Sequence, residues 1–90
     1  MAKQIYKLLY ARSVVKDLKK VPKEEREKII EKIQLLVSNP YLSGSVPLQG
    51  SSGLFRIRSG DYRIIYTVNN GELTILIIKI GHRKEVYRKV

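Results

Sequence analysis

The segment from Leu54 to Val68 constrains the fold more than any other part of the chain. Its residues, Leu-Phe-Arg-Ile-Arg-Ser-Gly-Asp-Tyr-Arg-Ile-Ile-Tyr-Thr-Val, largely alternate between apolar and polar types on either side of Gly60-Asp61. Successive side chains of a strand point to opposite faces of a sheet, and a Gly-Asp pair suits a two-residue hairpin turn. We therefore predict a β-hairpin with one apolar face and one basic face.

Arginines cluster on the basic face of this hairpin. The register set by the turn pairs Ile57 with Ile64 and places Arg58 opposite Arg63, with Arg56 two residues along from Arg58. Like charges directly opposite each other destabilise a sheet, so fold stability does not explain these arginines. Guanidinium groups bind phosphate oxygens in a bidentate manner and stay charged at any working pH, which favours a polyanionic ligand. A solvated face, with arginines that protect the sheet edge, is the alternative.

The net charge of the whole chain points to the same kind of ligand. Its 90 residues include 18 Lys and Arg against 8 Asp and Glu, a net charge of +10. Such an excess favours nucleic acid as the partner, followed by a membrane surface or an acidic protein. A soluble basic protein without a nucleic-acid role stays open at this point.

Composition also excludes several classes of site. The chain has no cysteine, which excludes disulfides, thiolate metal sites and a cysteine nucleophile, and any metal ligation would have to rest on its one His. The first residues lack the apolar run of a signal peptide, and the longest apolar stretch, Leu73 to Ile80, is too short to span a bilayer. We expect a cytoplasmic protein without a membrane segment, metal or cofactor.

The sequence before the hairpin predicts a strand and two helices. An apolar run from Ile5 to Tyr10 favours a first strand, and Ser13 suits the N-cap of a short helix. A second helix follows Pro22 and ends at about Ser38 before Asn39-Pro40. Its predicted core stripe consists of Ile29, Ile30, Ile33, Leu36 and Val37.

The remaining segments complete a sheet. Residues 40–53 are rich in Pro, Gly and Ser and predict a loop in which Val46 to Leu48 forms one short strand. Asn70-Gly71 predicts a second tight turn, and Glu72 to Ile80 predicts a strand that is apolar on both faces. Together these elements form one two-layer α+β domain over residues 1–90: a strand, a helical pair and a mainly antiparallel sheet of three or four further strands. We expect the helices to cover the apolar hairpin face and leave the arginine face open.

Three motifs in the second half of the chain occur at a specific spacing. They are Arg56-x-Arg58, the Gly-Asp-Tyr-Arg-Ile-Ile-Tyr segment from Gly60 to Tyr66, and Gly-His-Arg-Lys-Glu-Val-Tyr from Gly81 to Tyr87. Each motif is weak alone, but together they resemble the RelE branch of the RelE/ParE toxin superfamily. The resemblance extends over the whole chain in element order and implies a RelE-like fold.

The resemblance implies the toxin of a type II toxin-antitoxin pair, a ribosome-dependent mRNA endonuclease that cuts mRNA in the ribosomal A site and inhibits translation. A ribose 2′-OH attacks the adjacent phosphate and leaves a 2′,3′-cyclic phosphate and a 5′-OH, without a metal. This chemistry requires a base for the 2′-OH proton, cationic donors for the phosphorane, and an acid or strong donor at the leaving oxygen.

The resemblance also assigns roles to residues. Arg56 and Arg58 occupy positions where the family often has lysines that contact the phosphate or assist proton removal. Arg63 corresponds to its phosphate-clamping arginine, Arg83 to the arginine near the leaving oxygen, and Tyr87 to the tyrosine that positions the nucleotide.

The general base is the open role in this scheme. Guanidinium groups hold their protons far above neutral pH, so we interpret Arg56 and Arg58 as electrostatic stabilisers. The candidates for the base are His82, which titrates near neutrality, and the phenol of Tyr87. Catalysis without a dedicated base is the third possibility.

The placement of the C-terminal candidates depends on the local backbone. Strict alternation from Ile78 and Ile80 is expected to put His82 on the arginine face and Arg83 on the other face, unless Gly81 breaks the alternation by a bulge or turn. A break at Gly81 that turns Arg83 onto the arginine face would suit the role that the resemblance gives to Arg83.

The partners implied by the resemblance are an acidic RelB-like antitoxin, the ribosome and mRNA, with operator DNA bound only through the antitoxin complex and no membrane. Two other functions remain open from the sequence. One is a ParE-like inhibitor of DNA gyrase on the same fold, and the other is a non-catalytic basic RNA-binding module.

Overall fold

The computed structural model describes residues 5–48 and 53–82. The elements in chain order are β1 Lys7–Tyr10, α1 Arg12–Lys20, α2 Lys23–Ser38, β2 Val46–Pro47, β3 Leu54–Ser59, β4 Tyr62–Asn69 and β5 Thr74–His82. The strands form one sheet in the order β1-β5-β4-β3-β2, in which β1 runs parallel to β5 and all other neighbours are antiparallel. The predicted α+β class is therefore confirmed. Neither helix of the described residues is long and apolar enough to cross a membrane.

The predicted hairpin is present with its predicted register. Ile57 lies opposite Ile64 and Arg58 lies opposite Arg63 across β3 and β4. Gly60 has φ +60°, in the left-handed region that the first position of a type II′ hairpin turn requires. The turn thus fixes which side chains share each face.

The two helices pack on the apolar face of this sheet and form one core with it. The helices cover the sheet face that was predicted. We call it the helix-covered face, and it is defined by Phe55, Ile57, Ile64 and Tyr66. The buried cluster combines Val14, Val21, Ile29, Ile33 and Leu36 from the helical layer with Ile57, Ile64, Tyr66, Ile75, Ile77 and Ile80 from the sheet. Burying each such side chain contributes roughly 1.5–3 kcal/mol.

The helices differ from the prediction in two details. Helix α1 begins at Arg12 with Ala11 as its N-cap, so Ser13 lies inside the helix and does not cap it. In α2, Ile29 and Ile33 are fully buried, whereas Ile30 is 38 % exposed. One helical step rotates the side chain by about 100°, which turns Ile30 out of the stripe that faces the sheet.

The connection between β4 and β5 is longer than predicted. Asn69 pairs with Thr74, so four residues, 70–73, form the loop, and β5 begins two residues after the predicted Glu72. The Asn69 side chain accepts a hydrogen bond from the Glu72 amide at 3.0 Å and donates one to Glu72 Oε1 at 3.2 Å. These local bonds stabilise the wider loop in place of a two-residue Asn-Gly turn.

Candidate phosphate-binding site

Strands β3 and β4 bring three arginines to one cavity on the sheet face opposite the helices. This face, defined by Arg56, Arg58 and Arg63, is called the arginine face. The cavity, called the arginine pocket, has a volume of about 60 Å³ and is lined by Gly44, Val46, Arg56, Ile57, Arg58 and Arg63. Guanidinium groups bind anions well, so three of them around so small a space make the cavity a candidate anion site.

The three arginines differ in burial. Arg63 is only 5 % exposed, Arg56 is half-buried and Arg58 is exposed. Arg63 lies on β4, which has a neighbouring strand on each side, and Ile65 on the same face is also buried. A buried cation is costly unless other groups compensate it, so a merely solvated face does not describe Arg63.

The loop before β3 supplies the other wall of the arginine pocket. Gly44 has φ +99°, a conformation that strains any residue with a Cβ, and Val46 pairs with Arg56 in the short strand β2. The Tyr66 hydroxyl donates a buried hydrogen bond of 2.7 Å to the Pro40 carbonyl, and the rings of Tyr41 and Phe55 meet edge to face at 5.5 Å. The core therefore anchors the loop that closes the pocket.

The Tyr66 phenol is held in its neutral form by its surroundings. Burial is the main cause that raises its pKa above the usual 10.0; Tyr41 adds to the increase, and a hydrogen bond from Ser45 acts against it. A neutral phenol keeps the proton that it donates to Pro40. The anchor of the pocket wall is thus stable at neutral pH.

A further cation, Lys79 on β5, was missed by sequence reasoning. Lys79 pairs with Ile65 across β4 and β5, and its Nζ lies 3.4 Å from Asp17 Oδ2 on α1. The only sequence indication is that Lys79 interrupts an apolar strand. Its charge is balanced by Asp17.

The structure corrects the predicted placement of His82. His82 pairs with Tyr62, and Ile80 pairs with Ile64, so His82 lies on the helix-covered face and not on the arginine face. The reason is the register: Ile80 points into the core, and a residue two positions later in a strand shares its face. The rings of His82 and Tyr62 meet edge to face at 5.7 Å.

The rest of the predicted site lies at or beyond the end of β5. Gly81 pairs with Arg63 and thus lies on the arginine face. Arg83 and Tyr87 lie outside the described residues. The described structure therefore brings together Arg56, Arg58 and Arg63, while the contribution of the C-terminal segment stays a prediction.

Comparisons with known proteins give the context for this geometry. A family model described as ParE toxin of type II toxin-antitoxin system, parDE, matches residues 8–87. Toxin RelE3 of Methanocaldococcus jannaschii is 39 % identical over 85 residues, which cover 90 % of this chain and 94 % of that protein.

Solved structures agree with the sequence relatives. The chain is similar to a structure of the archaeal RelE-RelB complex from Pyrococcus horikoshii OT3, with a TM-score of 0.78, 32 % identity, and coverage of 88 % of this chain and 96 % of that chain. It is also similar to a RelB-RelE antitoxin-toxin complex from Methanococcus jannaschii, with a TM-score of 0.75, 33 % identity, and coverage of 90 % and 96 %.

Proposed function

The chain belongs to the RelE family of toxins from type II toxin-antitoxin systems, and on this premise we propose that it is a metal-independent, ribosome-dependent mRNA endonuclease. In this proposal it cuts mRNA in the ribosomal A site and so inhibits translation. The observation that carries the proposal is the arginine pocket, in which Arg56, Arg58 and Arg63 line one cavity of about 60 Å³.

The pocket supports phosphate chemistry through charge. The attack of a ribose 2′-OH on the adjacent phosphate places an additional negative charge on the phosphorane oxygens, and fixed guanidinium donors stabilise that charge most strongly where water is excluded. Arg63 is the most buried of the three, so we assign it the phosphate clamp, with Arg56 and Arg58 as further donors. The breaking bond joins phosphorus to the 5′ oxygen, which leaves as a 5′-OH after it gains a proton.

The proton transfers are assigned to the C-terminal segment. We propose Arg83 as the donor beside the leaving oxygen and Tyr87 as the residue that positions the nucleotide. Gly81, the residue two positions before Arg83 in the sequence, lies on the arginine face near the end of β5, and this supports the role proposed for Arg83. His82 and Tyr87 remain the candidate bases. His82 lies on the helix-covered face and not with the three arginines, so the Tyr87 phenol or catalysis without a dedicated base agrees better with the described residues.

A cognate acidic antitoxin is the second part of the proposal. The two archaeal structures are complexes of a RelE with a RelB, and the net charge of +10 favours an acidic partner. We propose that a RelB-like protein covers the basic surface and keeps the toxin off the ribosome. Operator DNA would be bound only through this complex, and the action on ribosomes would take place in the cytoplasm.

A second candidate function is inhibition of DNA gyrase, because the matching family model is described as a ParE toxin. Two assays on the same preparation distinguish the two functions. In the first, purified protein is added to translating ribosomes and mRNA cuts are mapped by primer extension. The second is a gyrase supercoiling assay. We expect cuts at A-site codons and unchanged supercoiling. Intact mRNA together with blocked supercoiling would replace the endonuclease by the gyrase inhibitor, and intact mRNA with tight RNA binding would favour a non-catalytic module.

A further inference from the structure

A second depression, larger than the arginine pocket, lies between α2 and the β3–β4 turn. Its volume is about 310 Å³, and we call it the α2 groove. The helical wall consists of residues three and four apart, which share one side of a helix. The lining residues are Lys28, Glu31, Lys32 and Leu35 on α2, and Arg58, Ser59 and Gly60 at the end of β3.

The groove exists because the outer edge of β3 is only partly paired. Strand β2 covers β3 at Phe55 and Arg56 and ends there, so in the described part of the chain the outer edge from Ile57 to the turn has no neighbouring strand. Helix α2 runs beside this bare edge, and its side chains form the opposite wall. The result is a trough with a backbone edge on one side and flexible cations on the other.

The charge of the groove is mainly positive. Lys28, Lys32 and Arg58 line it against the single carboxylate of Glu31. None of these three cations forms a salt bridge with another described residue. Lys79, in contrast, is paired with Asp17. The groove cations are therefore available to an external anion.

Arg58 connects this groove to the arginine pocket, because it lines both. A polymer with regularly spaced anionic groups can pass from one depression into the other along this side chain. A single small anion in the pocket would not reach Lys28 or Lys32. The shared wall thus favours a chain of phosphates over an isolated one.

We propose that the α2 groove is a second nucleic-acid phosphate site, in which Lys28 and Lys32 bind phosphates of the RNA strand that flank the phosphate held in the arginine pocket. The inference rests on the proposed endonuclease function and extends it by a defined path for the strand. Phosphate contacts of this kind position the strand and carry no sequence information.

The test compares two double variants with the same loss of charge. Lys28→Gln with Lys32→Gln removes the two groove cations of α2, and Lys16→Gln with Lys19→Gln removes two exposed lysines of α1 as the control. The probes are a dinucleotide and a nine-nucleotide single-stranded RNA, both 2′-O-methylated so that no attack can occur. Affinity is measured over a range of salt concentrations.

The expected result is specific to the long probe. The groove variant should bind the nine-nucleotide RNA about fivefold or more weakly than the control, with a salt dependence shallower by about 1.4 for the two lost phosphate contacts. Binding of the dinucleotide should be the same in both variants. A loss seen only on ribosomes and not with free RNA would overturn the strand path, because the groove would then bind rRNA phosphates and not the strand held in the pocket.

Equal binding of the long RNA by both variants, on ribosomes as well as free, would overturn the inference. Leu35 lines the groove and is 52 % exposed, which makes an acidic peptide the competing occupant. Polyglutamate is therefore titrated in parallel. If the groove variant lost affinity for polyglutamate alone, an acidic protein would be the occupant and the RNA path would be wrong. Wild-type protein that leaves A-site mRNA intact would contradict the proposed function instead, and the two failures are therefore distinguishable.

Discussion

Ile64 and Arg63 are neighbours on β4, and both are almost fully buried. Ile64 points to the helix-covered face, where it joins the core beside Ile57 and Ile80. Arg63 points to the arginine face, where it lines the pocket with Arg56 and Arg58. Burial on the first face stabilises the fold, whereas burial on the second places a permanent charge in a poorly hydrated site.

This difference between the two faces leads to separable effects of mutation. Substitutions on the helix-covered face should change the free energy of unfolding, and substitutions on the arginine face should change phosphate binding and catalysis. Each variant below is chosen to break or to sharpen that separation.

Ile64→Ala should have the largest effect on stability. Ile64 is fully buried, and truncation of such a side chain removes buried apolar area and leaves a cavity, at a cost of about 2–5 kcal/mol. Urea unfolding measures the loss. Arg58→Ala, an exposed change in the same hairpin, should shift the unfolding free energy by less than about 0.5 kcal/mol. Equal losses in the two variants would end the separation of the faces.

Tyr66→Phe should reduce stability by about 1–3 kcal/mol, because the buried Pro40 carbonyl loses its donor. Tyr66 lies on the helix-covered face but anchors the loop that lines the pocket, so this variant should also weaken RNA binding. Denaturation and the affinity for 2′-O-methylated RNA are measured together. Weakened stability with wild-type RNA affinity would mean that the anchor does not shape the pocket.

The pH dependence of stability checks the same side chain. The folded pKa of Tyr66 is raised above 10.0 chiefly by burial, so its contribution is fully present below pH 10 and is lost as the pH increases through the folded pKa. We expect the free energy of unfolding of the wild type to fall above pH 10 and that of Tyr66→Phe to fall less. Tyr10, whose pKa burial also raises, contributes to the slope that remains in the variant.

Arg63→Ala and Arg83→Ala should each lower cleavage of A-site mRNA by a factor of ten or more, which corresponds to a barrier higher by about 1.4 kcal/mol. Primer extension on translating ribosomes measures the rate, and Lys19→Ala controls for the loss of one positive charge. The arginine variants should keep the wild-type far-ultraviolet circular dichroism. If both cut mRNA at the wild-type rate, neither arginine belongs to the site.

Asp17→Asn should have only a small effect on stability. The Asp17–Lys79 pair is partly exposed, at 17 % and 24 %, so its loss should change the unfolding free energy by less than about 1 kcal/mol, and by less still in high salt. A double-mutant cycle with Lys79→Gln isolates the pair. A coupling energy well above that bound would show that this ion pair between α1 and β5 stabilises the fold, and stability would then depend on charged as well as on apolar contacts.

Local sequence information was sufficient for the hairpin and for the identity of its arginine row. The alternation of side chains and the Gly60-Asp61 turn fix the register of Arg58 with Arg63, because both depend only on neighbouring residues. The stripe of α2 was predicted for Ile29, Ile33 and Leu36 by the same kind of local periodicity. The resemblance to the RelE family followed from motifs within the hairpin and from the segment Gly81 to Tyr87.

Other features required knowledge of which elements meet. The sequence could not show that Arg63 is buried, because its exposure depends on the strands beside β4. It placed His82 on the wrong face, because the assignment of Ile80 to the core depends on pairing with Ile64 across two strands.

The sequence alone determined that the segment from Leu54 to Val68 alternates and has its arginines on one side, since a period of two residues separates the faces of any strand. Tertiary structure decided that these arginines surround a pocket, that the loop at Gly44 closes it, and that α2 adds a groove beside Arg58. The physical reason is that side-chain direction is a local property of the backbone, whereas burial and cavity shape arise only when distant segments pack together.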